Sequence, residues 1–279
     1  MGEGPVWDVR DQALYYVDIV GKKVFRFTPE SGTTESWEVP SVIGSMALRE
    51  EGGAVVALKD GIHALDFDTG AVTLLARPEG QAERVQFNDG KVDRRGRFVV
   101  ASGDSDLKDT QHVGSLYSLG ADHRLRELDR GMAISNGPCW SPDNRTFYFS
   151  DSLDYQIYAY DYDIETGVAT NRHNFANTRE LGGIPDGATV DTDGLMWMAI
   201  CEGSKVVAFR PDGKVERVID MPVKAPASVM FGGPNLDRLF VTTIDIGFLM
   251  GRDASEGDGH IFVIDGLGAK GIAEPRYAG

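Results

Sequence analysis

The 279-residue chain carries 28 Lys and Arg against 43 Asp and Glu, a net charge of −15. Hydrophobic residues at 42% and charged ones at 25% are ordinary globular values. They exclude a disordered or fibrous chain. The acidic balance is repelled by nucleic-acid backbones and anionic membrane, so neither is expected as a partner.

Glycine is the unusual component, at 34 residues or about 12% against a usual ~7%. Without a collagen period, that much glycine points to many tight turns and so to many short strands. No apolar run approaches the roughly 18 residues of a membrane span, and Met1-Gly2-Glu3-Gly4-Pro5 does not have the character of a signal peptide. Cys139 and Cys201 form no CxxC and no disulfide framework. A cytoplasmic location is expected, with both thiols behaving as small buried hydrophobes.

In chain order, short apolar strands recur between Gly, Asp, Pro and Asn turns. One pattern repeats six times: a small or polar residue, an apolar pair, a polar turn, then a strongly apolar strand. Its copies are Pro5–Asp18, Met46–Ala57, Lys91–Ala101, Cys139–Ser150, Thr189–Ala199 and Val229–Thr242. The strand centres, near Tyr16, Val56, Val99, Tyr148, Trp197 and Phe240, are 40 to 49 residues apart. A second alternating strand follows each, at Lys23–Phe27, Gly61–Phe67, Ser115–Leu119, Gln156–Tyr162, Lys205–Arg210 and His260–Asp265. In five of the six a third, more polar run comes next, such as Thr33–Val39, Ala71–Ala76 or Val215–Asp220. A period of ~40–50 residues with about four short strands is the signature of a β-propeller blade. The expected fold is therefore all-β, one six-bladed β-propeller domain spanning residues 1–279 with four-stranded antiparallel blades around a central axial site. A β-sandwich is the alternative, but a sandwich needs no fixed period.

The repeat also gives a register. Eleven to thirteen residues before each strand centre stand Glu3, Ser45, Asn88, Asn136, Asp186 and Ser228. Gly follows Glu3, Asn136 and Asp186 directly, and Asn88 precedes Asp89-Gly90, which lets the backbone turn sharply beside the channel. Two carboxylates, two amides and two hydroxyls at one register do not make a dry core. Converging carboxylates need a positive charge between them. An oxygen-only donor set suits a hard divalent cation, Ca²⁺ first, with Mg²⁺, Mn²⁺ or Zn²⁺ as alternatives.

At this point a resemblance becomes specific. Gly2-Glu3-Gly4-Pro5-Val6-Trp7-Asp8, Phe87-Asn88-Asp89-Gly90-Lys91, Ile134-Ser135-Asn136-Gly137, Ile184-Pro185-Asp186-Gly187 and the closing Gly266–Ala273 segment resemble the gluconolactonase, regucalcin (senescence-marker protein) and luciferin-regenerating enzyme family over essentially the whole chain. The resemblance implies a six-bladed propeller and a metal-dependent lactonase acting on sugar lactones. It further implies that Glu3, Asn136 and Asp186 bind the metal, that Asn88 contacts substrate at the metal's edge, and that Asp186 doubles as general base.

Two departures bear on the substrate. Gln86 stands where sugar-lactonase members commonly have Arg, which removes a charge-assisted contact. Ser102–Asp109 replaces a small-polar stretch, so Asp104 or Asp106 is expected to face the pocket. Relatives also have a strand upstream of the position of Glu3, so closure of the ring is expected to rest on C-terminal strands or on residues preceding Met1.

A Ser-His-Asp hydrolase is disfavoured. The chain has no Gly-x-Ser-x-Gly, and His63, His112, His123, His173 and His260 fall in turns or outer strands. Of these His112 is the one candidate for a pocket residue, with a surface position the plainer reading. Asp161–Gly167 resembles an EF-hand loop only faintly, because position 12 is Arg172. The remaining alternatives are a calcium-binding regulatory propeller without activity and a related metal-dependent esterase or phosphotriesterase. A small-molecule lactone is the expected partner of a monomer or weak dimer.

Overall fold

A computed structural model of the chain describes residues 1–80, 83–104, 112–245, 253, 254 and 256–279. They form six antiparallel sheets arranged as the blades of a six-bladed β-propeller, with a single 3-10 turn at Arg179–Leu181. Blade 1 runs outward through Gly2–Asp8, Ala13–Asp18, Lys23–Thr28 and Thr33–Glu38, each strand pairing with the next in sequence. Blades 2 to 5 repeat that order from inner strands Ile43–Leu48, Val85–Val92, Ser135–Trp140 and Ile184–Val190. Blade 6 has three strands among the described residues, Pro226–Gly232, Arg238–Thr243 and Ile261–Ile264.

The gradient of polarity along each repeat explains this order. An inner strand such as Ile-Gly-Ser-Met-Ala-Leu at 43–48 is buried along its whole length, whereas the outermost strand of blade 1, Thr-Thr-Glu-Ser-Trp-Glu at 33–38, is mostly exposed. A strand with apolar side chains on both faces is stable only between two other sheets. Each such face finds one. Six apolar clusters fill the six gaps between neighbouring blades, and the ring closes where Trp7 of blade 1 stacks on Phe240 of blade 6 at 5.3 Å. Trp140, Phe147, Tyr148 and Trp197 occupy three of these gaps, as between-blade core. Burial of each such side chain contributes roughly 1.5–3 kcal/mol.

The inner hairpins turn on buried aspartates. Asp93 Oδ1 accepts the backbone N–H of Arg95 and Arg97 while its Oδ2 receives the Tyr162 hydroxyl, and Asp191 caps Asp193 and Leu195 while accepting the Trp197 indole at 2.8 Å. The C-terminal segment crosses the same end of the ring. Thr192 donates to the Lys270 carbonyl, Gly271 to Leu236, Tyr277 to Leu48 and Ala278 to Gly96, while the Arg276 guanidinium meets Asp8 at 2.6 Å. One short stretch thereby ties blades 5, 6, 2, 3 and 1. The EF-hand-like stretch is a tight turn between two strands of blade 4, with Asp163 capping Glu165.

Tyr277 is fully buried between blades 2 and 3 and donates its hydroxyl to the Gly120 carbonyl at 2.8 Å. Tyr277→Ala should lower unfolding free energy by about 3–5 kcal/mol, seen as a shifted urea midpoint with an unchanged far-ultraviolet spectrum at low denaturant. A midpoint within error of the parent would show that the C-terminal segment does not hold the ring.

Candidate active site on the propeller axis

The register of the inner strand slips once in every blade. The shifts lie between Glu3 and Val6, Ile43 and Ser45, Phe87 and Gly90, Asn136 and Cys139, Pro185 and Ala188, and Pro226 and Ser228. A bulge leaves one residue unpaired, bends the strand and re-aims a side chain. Here the six positions of the sequence register, Glu3, Ser45, Asn88, Asn136, Asp186 and Ser228, sit within or beside the six bulges. The glycines are required by this geometry. Gly4 and Gly137 adopt φ of 53° and 63°, where a side chain is strained, and a Cβ on Gly187 would lie 1.9 Å from Ser228 Oγ.

The inner strands pack against one another in a closed ring, and hydrogen bonds link the bulges across blades. Ser45 Oγ donates to the Asn88 carbonyl, and Asn88 Nδ2 donates both to the Ser135 carbonyl at 2.8 Å and to Asn136 Oδ1 at 3.0 Å. Asn136 Nδ2 in turn donates to Ser152 Oγ, which itself donates to the Pro185 carbonyl next to Asp186. The amide of Asn136 is thereby oriented, with its oxygen on the side of Asn88. Asn88 and Gln86 are both half-buried on the inner strand of blade 3, Asn88 at its bulge.

Glu3, Asn136 and Asp186 are 9%, 6% and 5% exposed. Burial pushes the Glu3 carboxyl up from 4.5 to about 8, and the charge of Asp89 adds to the effect. Asp186 is raised well above the ordinary carboxylate range, first by burial, then by Glu3 and Asp89, against a hydrogen bond from the Cys201 thiol and one from the Gly187 backbone. The two carboxylates therefore repel one another inside the ring. Their donor atoms, two carboxylates and an oriented amide oxygen, fit a hard divalent cation, which would relieve that repulsion.

Asp104 is buried at the end of its strand, with Arg84 Nη1 3.4 Å from its Oδ2. Asp106 lies outside the described residues. His112 is on the surface side of the rim, its Nε2 3.0 Å from Asp154 and 4.0 Å from Asp151. The donor atoms of these three residues lie within 4.8 Å of one another, although Asp151 is already engaged by the backbone N–H groups of Ala133 and Ile134.

Several contributors were not singled out from sequence. Asp89 is buried, accepting from Gly90 N and Gly137 N. Ser152 orients Asn136. Cys201, expected to be a small hydrophobe, is buried as expected but also donates its thiol to Asp186. The Cys201 thiol is raised well above its usual range by burial, then by Asp186 and Glu3, so it stays protonated.

A six-bladed propeller with carboxylates and amides converging on its axis defines a class of sites. The family model for the SMP-30/gluconolactonase/LRE-like region matches residues 1–245, and the chain belongs to that family. Regucalcin of Xenopus laevis is 37% identical over 286 residues, covering 100% of this chain and 95% of that protein. A luciferin-regenerating enzyme superposes with a TM-score of 0.92 at 30% identity over 99% of this chain and 95% of its own. A protein described as a calcium-binding protein, regucalcin, from Agrobacterium tumefaciens gives 0.90 at 25% identity over 99% and 93%.

The raised carboxylates set a pH dependence. A carboxyl whose folded pKa lies above its unfolded value stabilises the fold when protonated, and that stability is lost as pH rises through the folded pKa. For Glu3 the window runs from 4.5 to about 8. In chelator the unfolding free energy, and with it the melting temperature, should fall as pH rises across that window, the free energy by up to about 1.4 kcal/mol per pH unit per group. Saturating Ca²⁺ should flatten it. A metal-free protein with no such slope would mean that Glu3 is not in the environment described.

Proposed function

We propose that the protein is a metal-dependent lactone hydrolase that opens a sugar lactone to its hydroxy acid. The observation that carries this reading is the convergence of Glu3 and Asp186 at the bulges of blades 1 and 5 with the oriented amide of Asn136 in blade 4 and Asn88 bonded to that amide. Membership in a family that includes gluconolactonases supports it. Glu3, Asn136 and Asp186 would hold the cation, with Ca²⁺ the first candidate because every donor is oxygen. When bound, such a cation acts as a Lewis acid towards a lactone carbonyl and acidifies an attacking water.

Asp186 is the general base. Of the six register positions only it and Glu3 are carboxylates, since amides and hydroxyls do not accept a proton near neutral pH, and the neighbouring Asp89 is engaged by the Gly90 and Gly137 N–H groups. The Cys201 thiol and the Gly187 N–H fix the Asp186 carboxylate in place, which favours directed proton abstraction over a freely rotating group. Glu3 is held by the adjacent Gly4 N–H at 3.1 Å and serves as a ligand. Asn88 orients substrate through its amide oxygen, since Nδ2 is engaged by Ser135 and Asn136. Gln86, two residues before Asn88, offers a neutral hydrogen-bonding amide in place of a cation, which favours uncharged aldonolactones. Cys201, protonated, does not act as a nucleophile.

Acid release from a panel of five- and six-membered sugar lactones, with and without chelator, tests the reading directly. Hydrolysis should require a divalent cation and favour neutral lactones over uronic or phosphorylated ones. Asp186→Asn should lose nearly all activity, at least ~10³-fold, while Asn88→Ala should keep metal binding and lose ~10- to 100-fold in rate. Parent-like hydrolysis by metal-loaded Asp186→Asn would place the base elsewhere. Metal binding with no hydrolysis of any lactone would instead favour a calcium-binding propeller without this activity.

A further inference from the structure

Below the candidate site, towards the end of the ring crossed by the C-terminal segment, the axis carries further charges. Asp89 belongs to the inner strand of blade 3, and Lys91 follows two residues on, about 7 Å along the strand. Lys91 is only 12% exposed. Its ammonium donates to the Ala188 carbonyl of blade 5 at 2.7 Å, across the channel. Glu274 lies 3.8 Å from it on the C-terminal segment, and Arg94 reaches the other oxygen of Glu274 at 3.7 Å. Asp89, Lys91, Glu274 and Pro275 line one narrow axial void with Gly4 and Ser228. The column thus reads Glu3 and Asp186, Asp89, Lys91, Glu274, Arg94. Its four carboxylates and two cations leave two negative charges, the charge a divalent cation brings.

We propose that Lys91 is a positioning residue for the ion rather than a ligand: held against Ala188 and screened from below by Glu274, it sets the field of the column and so the affinity of the candidate site for a divalent cation. This inference rests on the metal-site reading above. Its physical basis is Coulombic. One unit charge roughly 10 Å from a divalent ion, in a medium of effective dielectric ~20, changes binding by well over threefold even after partial screening. The sign depends on which member of the column is neutralised. Removing Lys91 takes away a repulsion felt by the entering ion. Removing the charge of Glu274 leaves Lys91 less compensated and increases that repulsion.

The experiment is isothermal titration of Ca²⁺ into chelator-stripped full-length protein at fixed pH and ionic strength, with melting temperatures of the stripped and Ca²⁺-saturated forms. Lys91→Met should bind Ca²⁺ at least ~3-fold more tightly, with a lower melting temperature in the stripped form and a larger rise on adding Ca²⁺. Glu274→Gln should bind it more weakly, and Lys91→Arg should stay near the parent value. Opposite signs from Lys91→Met and Glu274→Gln are what a mere loss of packing cannot produce. If both variants bind more weakly, or neither changes, the charge column is overturned while the metal site stands. If the parent protein binds no divalent cation, the metal-site reading fails and the column falls with it. Should Lys91→Met not fold, the weaker binding of Glu274→Gln, which keeps the size of the side chain and removes only its charge, still decides the sign.

Discussion

A bulge interrupts every inner strand on the axis of this propeller, and the rest of the site depends on it. An unbroken strand would send alternate side chains into the gaps between blades, where the apolar clusters lie. The extra residue at each slip breaks that alternation and leaves one side chain per blade free to serve the axis. The arrangement has a backbone requirement, met by the left-handed glycines Gly4 and Gly137 and by the close approach of Gly187 to Ser228. It also has an electrostatic consequence. Carboxylates delivered by blades 1 and 5 are both buried there, which raises the proton affinity of each, and the charge of Glu3 raises that of Asp186 further. Under the proposed function, that repulsion is what a divalent cation relieves on entering.

Much of this was legible in the sequence because a propeller is a periodic object. The spacing of strand centres located the six blades, and the polarity gradient from inner to outer strand was visible in segments such as 43–48 and 33–38. Counting back from each strand centre reached Glu3, Asn136 and Asp186 because the bulge falls at a constant distance from the inner hairpin. The glycine after each was a usable signal, since only glycine relieves the backbone there. Trp140 and Trp197, both on apolar strands of the repeat, sit in the gaps between blades 3 and 4 and between 5 and 6.

What escaped the sequence was contact across blades. Asp89 stands in Asn-Asp-Gly, a triplet with the composition of a turn, yet it is buried and bonded to Gly137 of the next blade. Lys91 would ordinarily snorkel to solvent, and only the approach of Ala188, 97 residues away, shows it spanning the channel. Cys201 had the burial expected of a hydrophobe, while its role towards Asp186 depends on pairing between the first two strands of blade 5. None of these relations has a spacing rule. The contacts of Asp89 and Lys91 follow from the ring being closed, which brings together residues from every part of the chain, and that of Cys201 from strand pairing within blade 5.

Closure also explains how a site with so few donors can be rigid. The groups proposed as ligands are each held by something other than the ion: Glu3 by Gly4, Asn136 by Ser152, Asp186 by Cys201 and Gly187. Ser152 is itself fixed on Pro185, so the orientation of an amide in blade 4 is referred to the strand that carries the carboxylate of blade 5. Side chains fixed in this way lose little further freedom when an ion or substrate enters, so binding is not offset by the cost of ordering them. The same fixation limits what the site accepts. Under the proposed function, a donor set that cannot rearrange selects by size and charge, and Asn88 and Gln86 select by hydrogen-bonding pattern rather than by charge. That reading gives ion choice and substrate choice to different residues on the same few strands.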